Sequence, residues 1–427
     1  MIEIKPDKIA NATVCVPGSK SYTHRLMIAA ALADGVCTVK NPLDSQDTRI
    51  TRRCLSEMGV AIEEASGALR IQGSSGRLRS PATPLDLGNS GTSMRLLAAV
   101  AALGQGVCVL SGSARMRQRP IQDLLDGLRQ MDIGARSVNG DGCPPIEISG
   151  GNITGGRVTI DCRISSQYLS ALLLIAPFAM KTVTISVTGG LVSRPYVDMT
   201  IAVMKAFGIT VDRQGYEQFV VSDGQAYRSG DHAVEPDCSQ AGYFWAAAAI
   251  TGAGIKVAGT SKSSLQGDVR FTDCLAAMGC RVVEHGDGIE VIGGPLRGVT
   301  VDMADMPDMV PTLAVVAAFA NGTTVIENVA HLRAKESDRL GAVATELAKM
   351  GVNAACTGDG LRIVGGHPHG AAIDTYDDHR IAMSFALAGL KITGVKIKDE
   401  TCVKKSFPDF WKVLARLHRA ELRPGDA

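Results

Sequence analysis

One passage of sequence recurs six times along this chain, at a spacing of about 70 residues. Each copy is a polar segment followed by an apolar, helix-like stretch, a small turn and a β-like run. The copies begin at Pro17, Gly88, Ile164, Pro236, Pro307 and Asp377. Self-similarity at a fixed period indicates one supersecondary unit that has been copied. The sequence therefore predicts an array of six similar units.

A second, shorter helix alternates with the first and ends in four units at a Met-Gly or Phe-Gly pair. The glycines of these pairs predict left-handed residues that end the helix: Gly59, Gly208, Gly279 and Gly351. The first helix is rich in alanine and leucine and apolar on all sides, so we expect it to be buried. Runs rich in β-branched residues follow. Each unit is predicted as strand, helix, strand, helix, strand, strand.

A chain of 427 residues is too long for one ordinary core, and six units divide naturally into three and three. We predict an α/β protein of two similar domains, each with three βαβαββ repeats around buried parallel helices. The N-terminal domain is expected at residues 17–230. Residues 1–16 together with 231–427 are expected to form the C-terminal domain, because the opening strand has no partner in the first half.

Composition and charge argue against several classes of protein. A formal net charge of +1 argues against a general binder of nucleic acid. Eleven cysteines without metal-ligand spacing indicate neither a zinc site nor a disulfide framework, and they suit a reducing cytosol. The N-terminus does not resemble a signal peptide, and the longest apolar stretch, residues 168–180, is too short to span a bilayer. The expectation is a soluble cytoplasmic protein.

The first polar segment, GSKSYTHR, places Lys20, Ser21 and Arg25 at a predicted helix start. Free backbone donors, a hydroxyl and two cations there suit an anionic small molecule. The residue order Gly-Ser-Lys-Ser does not match the P-loop motif. This difference excludes the interpretation of the segment as the phosphate-binding loop of a kinase. A capped helix with solvated charges would give the same pattern.

The second segment, GNSGTSMR from Gly88, has two glycines that allow a ligand to approach the backbone closely, although a turn followed by a helix cap would give the same pattern. The run SARMRQRP then alternates Arg115, Arg117 and Arg119. A solvated strand explains such a run, but one of these arginines could point inward as a clamp for carboxylate or phosphate.

The third segment carries Ser165, Ser166 and Gln167, followed by Ser193 and Tyr196. Hydroxyls and an amide suit a polyhydroxylated ring and its phosphate, although a Ser-Ser pair is also a common helix cap.

The C-terminal half holds most of the titratable candidates: Asp308, Lys335, Glu336, Arg339, Asp378, His379, Arg380 and Lys405. Asp308 at a helix start could be a plain N-cap. Lys335 and Arg339 are four residues apart and are expected to share a helix face. Carboxylates, cations and a histidine at the starts of buried helices together favour a catalytic site.

The motifs GSKSYTHR, GNSGTSMR, RMRQRP, SSQ, SRPY, PD, KESDR, DHR and KSFPDF stand here in the order and spacing of 5-enolpyruvylshikimate-3-phosphate (EPSP) synthases. The chain resembles this family over essentially its whole length. The resemblance implies the enolpyruvyl transferase fold, with ligands in a cleft between the domains. It implies transfer of the enolpyruvyl group of phosphoenolpyruvate (PEP) to shikimate 3-phosphate, without metal or organic cofactor, by a cytoplasmic monomer that glyphosate inhibits.

The resemblance also implies roles for individual residues. The residues expected around shikimate 3-phosphate are Lys20, Ser21, Arg25, Ser165, Ser166, Gln167, Ser193, Tyr196, Asp308, His331 and Lys335. Those expected to hold PEP are Lys20, Asn89, Gly91, Arg115, Gln167, Arg339, Arg380 and Lys405. The catalytic set is Asp308, Glu336, Lys20 and Lys405. His331 replaces an asparagine found in many members, and Leu96 replaces a proline.

Two other functions remain open from the residues. A sister transferase that acts on UDP-N-acetylglucosamine shares the fold but uses a loop cysteine, which the segment SARMRQRP lacks. A non-enzymatic phosphosugar-binding protein could use the same repeats, but it would have no need of the titratable groups Asp308, Glu336, His379 and Lys405.

Overall fold

The structure, a computed structural model, describes residues 1–7 and 9–417. It is a mixed α/β protein. The α-helices are α1 Lys20–Leu32, α2 Gln46–Glu57, α3 Gly91–Val100, α4 Gln122–Arg129, α5 Gln167–Ile175, α6 Pro195–Ala206, α7 Cys238–Thr251, α8 Phe271–Ala277, α9 Val310–Ala318, α10 Arg339–Lys349, α11 His379–Ala386 and α12 Phe410–Arg416.

Short strands alternate with these helices. They are β1 Ile2–Ile4, β2 Ala12–Val14, β3 Val36–Lys40, β4 Ile62–Ala65, β5 Ala68–Gln72, β6 Leu78–Arg79, β7 Leu85–Asp86, β8 Gly104–Ser111, β9 Gly134–Ser137, β10 Ile146–Gly150, β11 Gly156–Cys162, β12 Val183–Leu191, β13 Asp212–Gln214, β14 Gln218–Val221, β15 Asp231–Ala233, β16 Gly254–Ala258, β17 Arg281–His285, β18 Gly288–Ile292, β19 Thr300–Asp302, β20 Thr323–Glu327, β21 Asn353–Cys356, β22 Leu361–Val364, β23 Ala372–Ile373 and β24 Val395–Ile397.

The predicted repeat is present as a small sheet with a constant order of strands. In one repeat β11 pairs in parallel with β12, which pairs antiparallel with β14, which pairs antiparallel with β13. The strands β19, β20, β22 and β21 repeat this arrangement. The helix between the two parallel strands is the first helix of the repeat, and the helix after the second strand is the amphipathic one. The predicted βαβαββ unit is confirmed.

The first helix of each repeat is buried. All of α9 and α11 is buried, and α7 is buried from Cys238 to Ile250. In the N-terminal half, α1 is buried from Thr23 onward and α5 from Tyr168 onward. Alanines and leucines fill both cores, as the all-round apolar composition of these helices predicted.

The second helix of four repeats ends as predicted at a left-handed glycine. The φ angles are +100° at Gly59, +86° at Gly208, +112° at Gly279 and +76° at Gly351. In the second repeat Asp132 takes this position with a φ of +64°. An aspartate tolerates this region better than most residues, so the turn survives without glycine.

The chain divides into two compact units, residues 18–234 and residues 1–17 with 235–427. An exchange of strands accounts for the division. β1 pairs with β24 and β2 pairs in parallel with β16, whereas β15 pairs in parallel with β3. The division lies four residues beyond the boundary predicted at residues 230 and 231, because β15 belongs to the sheet of the first repeat. Among the described residues, no helix has the length and apolar character needed to cross a membrane.

Candidate active site

The first polar segment lies at the start of α1. The Oγ of Ser19 accepts a hydrogen bond from the backbone N–H of Tyr22 at 3.4 Å. Lys20 is the first helical residue, and its Nζ lies 3.1 Å from Oδ2 of the buried Asp47. Ser21 follows and is partly buried. An ammonium group and hydroxyls thus stand at a helix N-terminus, where anions are stabilised.

Arg25 is buried one turn further along α1. Its Nε donates to Oγ1 of Thr200 at 2.7 Å, Nη1 to the carbonyl of Ser21 at 3.0 Å and Nη2 to the carbonyl of Tyr196 at 3.1 Å. Burial lowers the pKa of the guanidinium to about 10, so the group remains charged at neutral pH. These three acceptors are neutral oxygens, which solvate the charge without cancelling it.

The glycine turn before α3 packs against two guanidinium groups. A β-carbon on Gly91 would lie 2.4 Å from Nη2 of Arg119 and 2.8 Å from Nη1 of Arg95. Arg119 donates from Nη1 to the carbonyl and to Oδ1 of Asn89, at 3.0 and 3.2 Å. Only a residue without a side chain leaves room for both arginines.

Arg119, and not the predicted Arg115, is the arginine at this turn. Residues Met116–Gln118 form a 3-10 turn, so the alternation expected of a strand does not apply. Arg119 is buried, whereas Arg115 is half-buried with its Nη1 3.4 Å from Oε1 of Gln118. The sequence signal for Arg119 was its place directly before Pro120.

Gln167 links the third polar segment to the glycine turn. Its Oε1 accepts from Nη1 of Arg95 at 3.1 Å, and its Nε2 donates to Oγ1 of Thr92 at 3.0 Å. Ser165 and Ser166 are buried just before α5, but Ser166 makes no side-chain cap bond. The simple cap interpretation therefore fails for Ser166.

Ser193 has an unusual backbone. Its φ is +55°, and its buried Oγ makes no hydrogen bond within the described residues. A left-handed residue with an unsatisfied hydroxyl is a form of local strain that is frequent at ligand sites. Tyr196 lies in the following first turn of α6, partly buried, with its ring 5.9 Å from the guanidinium of Arg25.

In the other unit, Asp308 is the centre of a cluster of ion pairs. Its Oδ1 accepts from Nη1 of Arg339 at 2.8 Å and its Oδ2 from Nη2 of Arg380 at 2.6 Å. The N-cap residue of α9 is Met309 and not Asp308, and both carboxylate oxygens of Asp308 pair with arginines, so the N-cap alternative is wrong.

Arg339 is enclosed by carboxylates. Besides Asp308 it contacts Glu336 through Nη2 at 2.9 Å and Asp378 through Nε at 2.8 Å. Burial alone would lower the pKa of Arg339, but Asp378, Glu336 and Asp308 outweigh burial and raise it. Nζ of the buried Lys405 lies 4.0 Å from Oε1 of Glu336. Asp308, Glu336, Arg339, Asp378 and Arg380 are called the carboxylate cluster below.

His331 lies in the short 3-10 helix Ala330–Ala334 and is buried. Burial, followed by the charge of Lys335, lowers the pKa of its imidazole to about 3. Its buried Nε2 makes no hydrogen bond within the described residues. Lys335 precedes α10, which begins at Arg339. The expectation that Lys335 and Arg339 share one helix face is therefore wrong.

Sequence reasoning missed two further features. A buried chain of hydroxyls joins α1, α2 and α3: Nδ1 of His24 lies 2.8 Å from Oγ1 of Thr51, which lies 2.7 Å from Oγ of Ser93. Near the carboxylate cluster, the buried Asp268 accepts a hydrogen bond from Ser239. Burial and the charge of Asp308 raise the pKa of Asp268 to about 7. The only signal that the sequence offered for these residues was that each is a polar residue within an otherwise apolar part of its repeat.

Each unit thus gathers a distinct set of groups. Residues 18–234 hold the cations Lys20, Arg25, Arg95 and Arg119 together with serine hydroxyls. Such a set binds phosphate and carboxylate. The carboxylate cluster supplies groups that can accept and return protons, with cations beside them.

The sequence matches the family model described as EPSP synthase (3-phosphoshikimate 1-carboxyvinyltransferase) over residues 4–414. A relative named 3-phosphoshikimate 1-carboxyvinyltransferase from Syntrophobacter fumaroxidans is 46% identical over 417 residues, 97% of this chain and 99% of the relative. A relative of the same name from Methanoculleus marisnigri is 45% identical over 406 residues, 95% of this chain and 96% of that protein.

The fold is similar to a solved structure of EPSP synthase from Acinetobacter baumannii. The TM-score is 0.81 at 30% sequence identity, and the match covers 97% of each chain. A second structure of EPSP synthase from the same organism gives a TM-score of 0.79 at 29% identity, covering 97% of this chain and 98% of the other. The predicted fold class is confirmed.

Proposed function

Since this chain belongs to the EPSP synthase family, we propose that it transfers the enolpyruvyl group of PEP to the 5-hydroxyl of shikimate 3-phosphate. The products are 5-enolpyruvylshikimate 3-phosphate and phosphate. The reaction is a step of the shikimate pathway, which leads to chorismate and the aromatic amino acids.

Arg25 is the observation that carries the assignment of the shikimate site. A buried guanidinium whose hydrogen-bond acceptors are neutral oxygens keeps its full charge for an anionic ligand. We assign it to the 3-phosphate, together with hydroxyls that lie nearby or follow in the same segments: Ser21, Ser165, Ser166, Ser193 and Tyr196. Gln167, Asp308, His331 and Lys335 are assigned to the ring and its hydroxyls, and Lys20 to both substrates.

The PEP site is assigned to the glycine turn and to cations from both units. Arg119 takes the role that sequence analysis gave to Arg115, because its guanidinium lies against Gly91 and Asn89. Gln167 and Lys20 complete this set in residues 18–234. Arg339, Arg380 and Lys405 are assigned to the same ligand in the other unit. A trianionic substrate needs several cations to be held away from water.

The chemistry requires two proton transfers at different atoms. In the addition step the 5-hydroxyl oxygen bonds to C2 of PEP while Asp308 accepts the hydroxyl proton and Glu336 delivers a proton to C3. In the elimination step a proton leaves C3 for Glu336 as the bond from C2 to the phosphate oxygen breaks. Lys20 and Lys405 stabilise the departing phosphate. Asp308 is suited to its role because two arginines fix the carboxylate.

The assigned groups are divided between the two units, with Lys20 and Arg25 in one and Asp308 and Glu336 in the other. One reaction requires both sets to act on the same pair of substrates. We therefore propose that the substrates bind where both units can contact them.

An assay of phosphate release from PEP tests the proposal. Release is expected with shikimate 3-phosphate as the acceptor and not with UDP-N-acetylglucosamine, the acceptor of the sister transferase. Release with the nucleotide sugar alone would overturn the assignment, and release with neither would favour a binding protein.

We further propose that the protein acts in the cytoplasm as a monomer. All eleven cysteines are free thiols, which suits a reducing compartment. Light scattering from the purified protein would test the oligomeric state against the chain mass of 44.7 kDa.

A further inference from the structure

The guanidinium of Arg25 is oriented by a threonine from another helix. Thr200 lies in α6, and its Oγ1 accepts from Nε of Arg25 at 2.7 Å. This is the shortest of the three hydrogen bonds of Arg25, and it fixes the edge of the guanidinium opposite to its two terminal nitrogens. The bond joins residues 175 positions apart in sequence.

The side chain of Thr200 is itself held in place by burial and by hydrogen bonds. Its side chain is fully buried, and its Oγ1 lies 2.9 Å from Oγ of Ser170 in α5 and 2.8 Å from the carbonyl of Tyr196. The hydroxyl has a single proton, which it donates to one of these two oxygens, and its lone pairs face Arg25. Ser170 is also fully buried. The hydroxyl of Thr200 is therefore held as an acceptor for Arg25.

Arg339 shows the alternative way to hold a buried arginine. Three carboxylates surround its guanidinium and compensate much of its charge, so a PEP bound to Arg339 also needs the charges of Arg380 and Lys405. A carboxylate in the place of Thr200 would position Arg25 equally well, but it would also neutralise the charge that an anionic ligand must meet. A hydroxyl orients the group and leaves its charge uncompensated.

We propose that Thr200 is a positioning residue that sets the orientation of Arg25 and thereby the affinity of the enzyme for the phosphate group of its substrate. Thr200 acts through Arg25 and does not touch the ligand. The inference rests on the proposed function, which assigns Arg25 to the 3-phosphate of shikimate 3-phosphate. Within that function, Thr200 becomes one of the residues that make the enzyme prefer a phosphorylated acceptor to an unphosphorylated one.

The test is the substitution Thr200→Val, which keeps the shape of the side chain and removes the acceptor. Loss of a hydrogen bond to a charged group is expected to raise the KM and the Kd of shikimate 3-phosphate about tenfold. The kcat, the KM of PEP and the Kd of unphosphorylated shikimate are expected to stay within about twofold. Thr200→Ser restores the hydroxyl and is expected to restore affinity for shikimate 3-phosphate.

Thr312→Val is the matched control. Thr312 is also a fully buried helical threonine, with its Oγ1 3.0 Å from Oγ of Ser384, but this pair lies in the other unit and makes no described contact with a guanidinium. Its substitution is expected to leave the KM of shikimate 3-phosphate unchanged. Should Thr200→Val not fold, Thr200→Ala is subject to the same prediction.

An unchanged Kd for shikimate 3-phosphate in folded Thr200→Val would overturn the inference, as would equal losses of affinity for shikimate 3-phosphate and shikimate. The substitution Arg25→Met separates this failure from that of the proposed function. If Arg25→Met also leaves the affinity for shikimate 3-phosphate unchanged, the assignment of Arg25 is wrong. If Arg25→Met weakens binding strongly and Thr200→Val does not, the role of Thr200 alone is wrong.

Discussion

The turn at Gly91 allows a prediction about the binding of PEP. The structure changes the way in which the substitution Gly91→Ala is expected to weaken that binding. From sequence alone, a methyl group added by Gly91→Ala would be expected to point into the PEP site. In the structure it would instead lie 2.4 Å from Nη2 and 2.7 Å from Cζ of Arg119, and 2.8 Å from Nη1 of Arg95. The substitution should therefore act on PEP by displacing an arginine.

The geometry gives the size of the effect. Non-bonded heavy atoms separate to about 3.5 Å, so the Arg119 guanidinium must move by about 1 Å. Arg119 is 3% exposed and donates to Asn89 at 3.0 and 3.2 Å, so it cannot move this far and keep both bonds. One lost hydrogen bond from a charged donor costs about 1.5–3 kcal/mol. We expect the KM of PEP to rise about 10- to 100-fold.

Initial rates of phosphate release at saturating shikimate 3-phosphate would measure this change. The route through Arg119 is tested by a double-mutant cycle with Arg119→Ala. In the Arg119→Ala background, Gly91→Ala should raise the KM of PEP much less than in the wild type. Additive effects would mean that the methyl group touches PEP directly and would refute the reasoning. Gly286→Ala is the control, because a β-carbon there meets nothing within 4 Å.

Three further predictions follow from the candidate site. Asp308→Ala should lower kcat by about 10²- to 10⁴-fold while changing the Kd of shikimate 3-phosphate far less; near-normal turnover would remove Asp308 from its role. The pKa of His331 is about 3 in the folded protein, below the unfolded value, so stability is lost as pH falls below about 6.5. Urea unfolding should therefore show that the free energy of unfolding of the wild type falls between pH 6.5 and pH 5 by about 2 kcal/mol more than that of His331→Asn. An equal fall in both proteins would contradict this prediction. Small-angle scattering should show a smaller radius of gyration with shikimate 3-phosphate bound; an unchanged radius with both ligands saturating would count against joint action of the two units.

The repeat could be predicted because its signals are local. All-round apolar helices, amphipathic helices and left-handed glycines are each encoded within a few residues, and the period places them in order. The domain boundary could not be predicted to the residue. Strand β15 pairs with β3, almost 200 residues away, and nothing in its own sequence specifies that partner.

The sequence allowed the residue types of the candidate site to be predicted, but it gave much less information on which contacts these residues make. Asp308 could equally have been a helix cap, and only the position of Arg339 and Arg380 decides between the alternatives. The sequence favoured Arg115 on the expectation of a strand, whereas in the structure a 3-10 turn takes its place and Arg119 lies against the glycine turn. Thr200 gave no signal, since a threonine within an apolar helix is an ordinary core residue until its partner is known.

Solvent deuterium tests the central mechanistic claim, that Glu336 passes a proton to C3 of PEP and takes one back. During the reaction in D₂O, C3 would become a methyl group that carries one deuterium and would then lose either hydrogen or deuterium. Mass spectrometry of the product should therefore find deuterium in the enolpyruvyl group with the wild type, formed far more slowly with Glu336→Gln. A wild-type product free of deuterium at C3, or an unchanged rate of incorporation with Glu336→Gln, would contradict the account.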